Sequence, residues 1–180
     1  VVLLLFLMVV IFFYNRYSFT GSGNSKPIAV TDYKLNTYVT VTIYDSNDTA
    51  LLDECMALCD KYEMIFSRTN PESELYKLNH GLLPQSADGD YTVSDELYEV
   101  ISVGKKYSEL SDDAFCIAME PLTSLWNFTD GKQNIPADAS ITTVLPLLNS
   151  DDILLRSPNQ IAFVKEGMGI DLGAIAKGYI

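Results

Sequence analysis

Histidine is almost missing: His80 is the only one in 180 residues. A Ser-His-Asp triad would have to use it, and HExxH or multi-histidine metal centres are excluded. Cysteine is scarce too. Cys55, Cys59 and Cys116 are too few and too unevenly spaced for a disulfide scaffold or a CxxC zinc or redox site, so they read as small buried residues. Positive charge is the third shortage, with 12 Lys and Arg against 24 Asp and Glu and a formal charge of −12. Without a basic cluster nothing suits a nucleic-acid backbone. Any chemistry must run on carboxylates, hydroxyls, lysines, backbone groups or a hard cation held through oxygen.

What is abundant sits first at the amino end. Residues 1–14, VVLLLFLMVVIFFY, contain no polar break. That length lies between a signal-peptide apolar region of roughly 7 to 15 residues and a spanning helix of about 20, and either predicts export or anchoring. Asn15 and Arg16 follow, then the Gly/Ser-rich SFTGSGNSKP, where no Cys offers a lipid attachment point. We read residues 1–16 as a signal or transmembrane anchor, an uncleaved anchor being preferred to a lipoprotein or a cleaved signal, and residues 17–31 as a linker. The first residue is Val1, and the last, Ile180, falls inside the helix-like GAIAKGYI without a stop signal, so a fragment is expected.

Between these ends the elements alternate. TYVTVTIY at 37–44 puts Val39, Val41 and Ile43 on one face, the period of a half-buried strand. Residues 49–66 carry a helical stripe of Leu51, Cys55, Leu58, Cys59, Tyr62, Ile65 and Phe66. A second helix begins at Ser94, a capping hydroxyl followed by Asp95 and Glu96, with a stripe of Leu97, Val100, Ile101, Gly104 and Tyr107. Residues 111–126, SDDAFCIAMEPLTSLW, suggest a packed strand-to-helix corner, and a short helix is expected over 138–148. Residues 153–156 and 160–165 flank Ser157-Pro158-Asn159 as a hairpin. With helices and strands interspersed and no internal repeat, the fold class is α+β, or mixed α/β.

The block richest in chemical meaning is GMGIDLGAIAKGYI at 167–180. A strand is expected to turn through Gly169-Ile170-Asp171 into a helix lined by Gly173, Ala174, Ala176 and Gly178, small residues that let backbone approach a ligand closely. A dinucleotide fingerprint is ruled out because Leu172 stands where its third glycine belongs, and a P-loop because GK[ST] is absent. Asp171 and Lys177 place a carboxylate and an ammonium beside exposed amides and carbonyls, which suits an anionic ligand with a metal. Small residues that merely ease helix packing are the alternative.

DLGAIAKGY, preceded by SELSDDAFCIAMEPLTSLWNF and FSRTNPESELYKLN, resembles the ApbE family of FAD:protein FMN transferases, from about residue 32 to residue 180. The resemblance implies an ApbE-like catalytic domain of which residues 32–180 are the amino-terminal half. It also implies a magnesium-dependent extracytoplasmic enzyme that transfers FMN from FAD to a Thr or Ser hydroxyl of an acceptor flavoprotein, releasing AMP. Subunits of membrane redox complexes are the implied partners. By position, Asp171 and Lys177 match FAD contacts, and Ala174 matches a residue whose backbone carbonyl ligates Mg²⁺. Ala114, Phe115 and Cys116 match a flavin segment whose usual aspartate is here Cys116, which leaves backbone contacts and removes a side-chain acceptor. Leu35, in place of a Met-Gly-Thr-like turn, is expected to keep an apolar contact. Thr69 replaces an aromatic, so ring stacking there is lost or supplied by a neighbour such as Tyr76. Ser73, Glu74 and Asn79 are read as turn and capping chemistry, and His80 as an exposed loop residue. The base and the remaining metal ligands are expected after Ile180, leaving this fragment inactive alone. An FAD pyrophosphatase and a flavin-binding protein without turnover are the competing readings.

Overall fold

The computed structural model describes residues 26–128, 131–132 and 134–180. The apolar run at 1–14 and most of the expected linker lie outside them. Among the described residues no helix is long and apolar enough to cross a membrane. The described residues divide into two compact units, the first ending at Met56 and the second running from Ala57 to Ile180.

The first unit contains an antiparallel hairpin of β1 (Ile28–Lys34) and β2 (Thr37–Ile43). Strand β1 starts within the stretch expected to be linker. Lys34 pairs with Thr37, so Leu35 and Asn36 form a two-residue turn, and both have positive φ, 54° and 56°. That is the backbone of a turn whose twist matches the strands. Asn36 suits it, whereas Leu35 holds a left-handed conformation that a side chain rarely adopts. As expected, Val39, Val41 and Ile43 are all half-buried.

Helix α1 (Thr49–Phe66) matches the expected bounds, and its residues fall on both sides of the division. Its buried line differs from the expected stripe. Leu52, Met56, Cys59 and Phe66 are buried, while Leu51 and Leu58 are 41% and 46% exposed. Apolar residues occur all round this helix, so two lines one residue apart fit the period and packing selects between them.

In the second unit the expected turn SELYKLN is a helix, α2 (Glu74–Asn79), with Ser73 accepting from the Tyr76 amide as its cap. Strand β3 (Tyr91–Thr92) precedes α3 (Asp95–Leu110), and the Ser94 hydroxyl accepts from the Leu97 amide. Glu74 holds this cap, taking the Ser94 amide at 2.6 Å and its hydroxyl at 2.5 Å. Along α3, Leu97, Val100, Ile101 and Gly104 are buried as expected, but Tyr107 is exposed and Ser108 takes the inner position. Residues 111–119 form turns, and no strand. Asp112 and Asp113 have φ of 53° and 60°, which reverses the chain, and the Ser111 hydroxyl holds the Phe115 amide.

Helices α4 (Glu120–Trp126) and α5 (Asp138–Val144) follow, the second continued by a 3₁₀ turn at Leu145–Leu147. Strands β4 (Ile153–Arg156) and β5 (Gln160–Phe163) form the expected hairpin, and β3 adds to β5. All pairings are antiparallel. The class is therefore α+β. Leu75, Leu97, Ile101, Ile117, Ile153, Ile161 and Ile170 are wholly buried and form the heart of the core. The core thus reaches into the 167–180 block.

Candidate active site

The 167–180 block departs from the expected strand-to-helix unit. Residues 168–172 have no regular secondary structure and belong to no sheet, and the helix, α6 (Ala176–Tyr179), starts later than expected. From Ile170 to Gly173 the buried residues Ile170 and Leu172 alternate with half-buried Asp171 and exposed Gly173, while Met168 and Gly169 are both buried. Three hydrogen bonds replace the missing ladder. Asn79, the last residue of α2, donates from Nδ2 to the Ile170 carbonyl and accepts the Ile170 amide on Oδ1, both at 2.8 Å. The Asp171 amide donates to the Ile117 carbonyl at 2.9 Å. One amide side chain thus satisfies both main-chain polar groups of a buried residue, as an adjoining strand would.

Gly169 is where the bend meets α4. A Cβ there would lie 3.0 Å from Glu120 Oε2 and 3.1 Å from Glu120 Cβ. A side chain there would have to displace Glu120 by a few tenths of an ångström.

The Asp171 carboxylate is held at both oxygens. Oδ1 accepts the Gly173 amide at 2.8 Å, and Oδ2 lies 3.1 Å from Arg68 Nε. Both side chains are 18% exposed, so the pair is shielded yet reachable. An ionised carboxylate accepts about four hydrogen bonds, and capacity for a ligand remains. Arg68 projects from the turn after α1, where the Ser67 hydroxyl accepts the Asn70 amide at 3.1 Å and the Ser73 hydroxyl donates to the Ser67 carbonyl.

The other expected site residues distribute unevenly. Ala174 and Lys177 are exposed beyond Asp171 on the same segment. The cradle of exposed amides expected at the helix start is not formed as read: Gly173 N–H is spent on Asp171, and the Ile175 and Ala176 amides both donate to the Leu172 carbonyl. Thr69 sits half-buried beside Arg68, its amide 3.4 Å from the Ser67 hydroxyl. Tyr76 is stacked on His80 with centroids 3.8 Å apart, so one face of the proposed substitute ring is already covered. His80 is exposed, as expected. Leu35 lies at its turn in the first unit.

Cys116 has a different outlook from Asp171. Its sulfur lies 3.2 Å from the Ser150 hydroxyl and 3.8 Å from the Leu148 carbonyl. Ser150 is buried and also bonds the Ser108 hydroxyl at 3.0 Å, while the Lys105 ammonium donates to its carbonyl. Partial burial pushes Lys105 below the ordinary lysine range, although Asp151 and Asp152 oppose this. The thiol therefore ties the turns at 111–119 to the segment before β4, which Ser108 and Lys105 join to α3. Ala114 is exposed and Phe115 packs on the core. The next residue, Ile117, bonds the bend through its carbonyl.

Beside Ala174 opens a cavity of about 370 Å³, lined mainly by Val100, Val103, Tyr107, Ile175 and Tyr179. Its apolar and aromatic walls suit a flat or greasy group, whereas the Arg68–Asp171 pair suits a polar one. Among the described residues no group of three or more His, Cys, Asp and Glu side chains could hold a metal. The donors near the bend are carboxylate and carbonyl oxygens, which fit a magnesium ion that takes one or two protein ligands and fills its shell with water and phosphate oxygens.

Arg68, and Asn79 in any role beyond capping, were missed from sequence. Both stand inside FSRTNPESELYKLN, but nothing local reveals that they converge on one bend, which lies 91 residues beyond Asn79 and farther still beyond Arg68.

An α+β unit carrying a carboxylate on a pinned, glycine-rich bend defines the class. The model of the ApbE family matches residues 35–180. The chain belongs to the ApbE family. It is 32% identical over 136 residues to the FAD:protein FMN transferase of Klebsiella pneumoniae (strain 342), covering 75% of this chain and 42% of that protein. With the FAD:protein FMN transferase of Treponema pallidum (strain Nichols) it shares 28% over 137 residues, 73% of this chain and 37% of the relative. The crystal structure of the ApbE protein of Thermotoga maritima superposes with a TM-score of 0.74 at 27% identity, covering 86% of this chain and 50% of the other. The chain thus spans less than half the length of the curated relatives it matches.

Proposed function

We propose that the complete protein transfers FMN from FAD to a Thr or Ser hydroxyl of an acceptor flavoprotein, and that residues 35–180 contribute the Asp171 bend to its FAD site. The supporting observation is that the family block DLGAIAKGY folds as a bend whose carboxylate is fixed at both oxygens, by Arg68 and by the Gly173 amide. In the reaction the acceptor oxygen bonds to the FMN-side phosphorus, and the bond from that phosphorus to the bridging oxygen breaks. The bridging oxygen departs with AMP, and the hydroxyl proton passes to a base, which we place after Ile180.

A bound magnesium ion supplies neutralisation of the pyrophosphate charge. The chain's own residues have simpler tasks. The Ala174 carbonyl would offer the ion a hard oxygen donor, Asp171 contacts FAD, and Lys177 offers it a cation. The apolar cavity beside Ala174 suits the ring system better than the phosphates. Thr69, Ala114, Phe115 and Cys116 are the further flavin contacts proposed within residues 57–180, Cys116 through its backbone. Acceptors would be subunits of membrane redox complexes, reached by an exported or membrane-anchored enzyme; the apolar run at 1–14 supports that placement.

The test incubates the complete protein with FAD, Mg²⁺ and a threonine-bearing acceptor, and follows acceptor-bound flavin fluorescence and AMP. Labelled acceptor with equimolar AMP is the expected result. Free FMN and AMP without acceptor would instead identify a pyrophosphatase. A second reading, binding without turnover, is favoured by Cys116, whose thiol faces Ser150 where the family usually carries an aspartate. It predicts FAD recovered unchanged.

A further inference from the structure

We propose that Arg68 is a positioning residue for FAD, acting through Asp171; this rests on the reading of Asp171 as an FAD contact. A carboxylate fixed at one oxygen still rotates about its side-chain bonds. The Gly173 amide on Oδ1 and Arg68 Nε on Oδ2 together define the plane of the group. The guanidinium is itself restrained. Its backbone sits in the Ser67–Ser73 turn, and its Nη1 lies 3.5 Å from the Ser124 hydroxyl of α4. Arginine is suited to this because its charge is permanent and its donors are rigidly planar.

Charge gives the second reason. FAD carries a negative pyrophosphate, and Asp171 is negative in a chain of formal charge −12. An uncompensated carboxylate would repel the substrate it is meant to contact. Arg68, at 3.1 Å and equally shielded from water, cancels that charge where screening is weakest. Removing it both frees the carboxylate and restores the repulsion, so both effects weaken binding.

The test is a double-mutant cycle on the FAD dissociation constant of the complete protein, followed by flavin fluorescence, with thermal unfolding of each variant measured alongside. Arg68→Ala is expected to weaken FAD binding roughly ten- to a hundredfold, the range seen when an orienting partner of a ligating group is lost. Arg68→Lys should recover only the part of the affinity that charge supplies, binding FAD more tightly than Arg68→Ala and less tightly than the unaltered protein. Arg68→Ala/Asp171→Ala should bind no worse than Asp171→Ala alone, because the arginine has nothing left to position. Arg68→Gln takes the place of the alanine variant if that fails to fold. Losses that multiply in the double variant would overturn the proposal, as would full affinity in Arg68→Ala alongside weak binding in Asp171→Ala, an outcome that leaves the site itself standing. A drop in melting temperature without any change in affinity would reduce Arg68 to a structural residue. If Asp171→Ala leaves binding intact, both the site and the proposal fall.

Discussion

Asn79 shows how much one side chain can decide. Its amide supplies both bonds to the Ile170 peptide, and Ile170 is wholly buried. Truncation leaves a buried donor and a buried acceptor unpaired, so Asn79→Ala should cost roughly 1–3 kcal/mol per stranded group at most, less whatever water recovers. Urea midpoints check this. Asn79→Asp should not rescue it, since a carboxylate has no donor for the Ile170 carbonyl. Tyr179 makes a different kind of commitment. Its hydroxyl donates to Glu99 at 2.7 Å, and that bond, helped by partial burial and the Glu99 charge, pushes the phenol up to about 12. The neutral form is thus favoured by folding. The stabilisation is complete below pH 10, where the unfolded phenol begins to ionise, and is lost as pH rises through about 12. Tyr179→Phe should remove this decline while keeping the edge contacts to Tyr62 and Phe66. Denaturant midpoints of both proteins between pH 9 and 12 provide the comparison, and parallel curves would dismiss the role of the hydroxyl.

At the level of elements, α3 is the hub because it combines a firm start with a close approach. Glu74 of α2 fixes the Ser94 cap, so the position of α3 is coupled to the segment that also carries Asn79. Further along, Gly104 admits Ile117: a Cβ there would lie 2.8 Å from Ile117 Cγ2. Ile117 in turn gives its carbonyl to the Asp171 amide. In Gly104→Ala a helix-propensity gain of about 1 kcal/mol opposes an overpacking cost of roughly 1–3 kcal/mol. A net loss of order 1 kcal/mol follows from that range, read as a lower urea midpoint at unchanged slope. A higher midpoint would mean that Ile117 swings aside without strain. Arginine 68 and the bend illustrate the same principle, since elements meet through groups that have no regular partner of their own.

For the molecule as a whole, the local features were largely legible. The bounds of α1, the Ser94 cap and the β4–β5 hairpin follow from periodicity, capping chemistry and turn residues, all of which act within a few positions. The family blocks were legible for a similar reason, being short runs of adjacent residues. Legibility failed where the chain had a choice of partner. Two apolar lines were open to α1, and burial chose Leu52 and Met56 over Leu51 and Leu58. At Cys116 the sequence left only backbone contacts to flavin, and the partner of its thiol, Ser150, came from the fold. The sequence alone determined the α+β class, the carboxylate-bearing bend and the kinship with flavin transferases, because composition and short-range pattern encode them. Only the tertiary structure decided that Arg68 and Asn79 converge on that bend. Asn79 and Ile170 stand 91 residues apart, and no local energy specifies a contact over such a separation; it forms only once the core has brought the segments together.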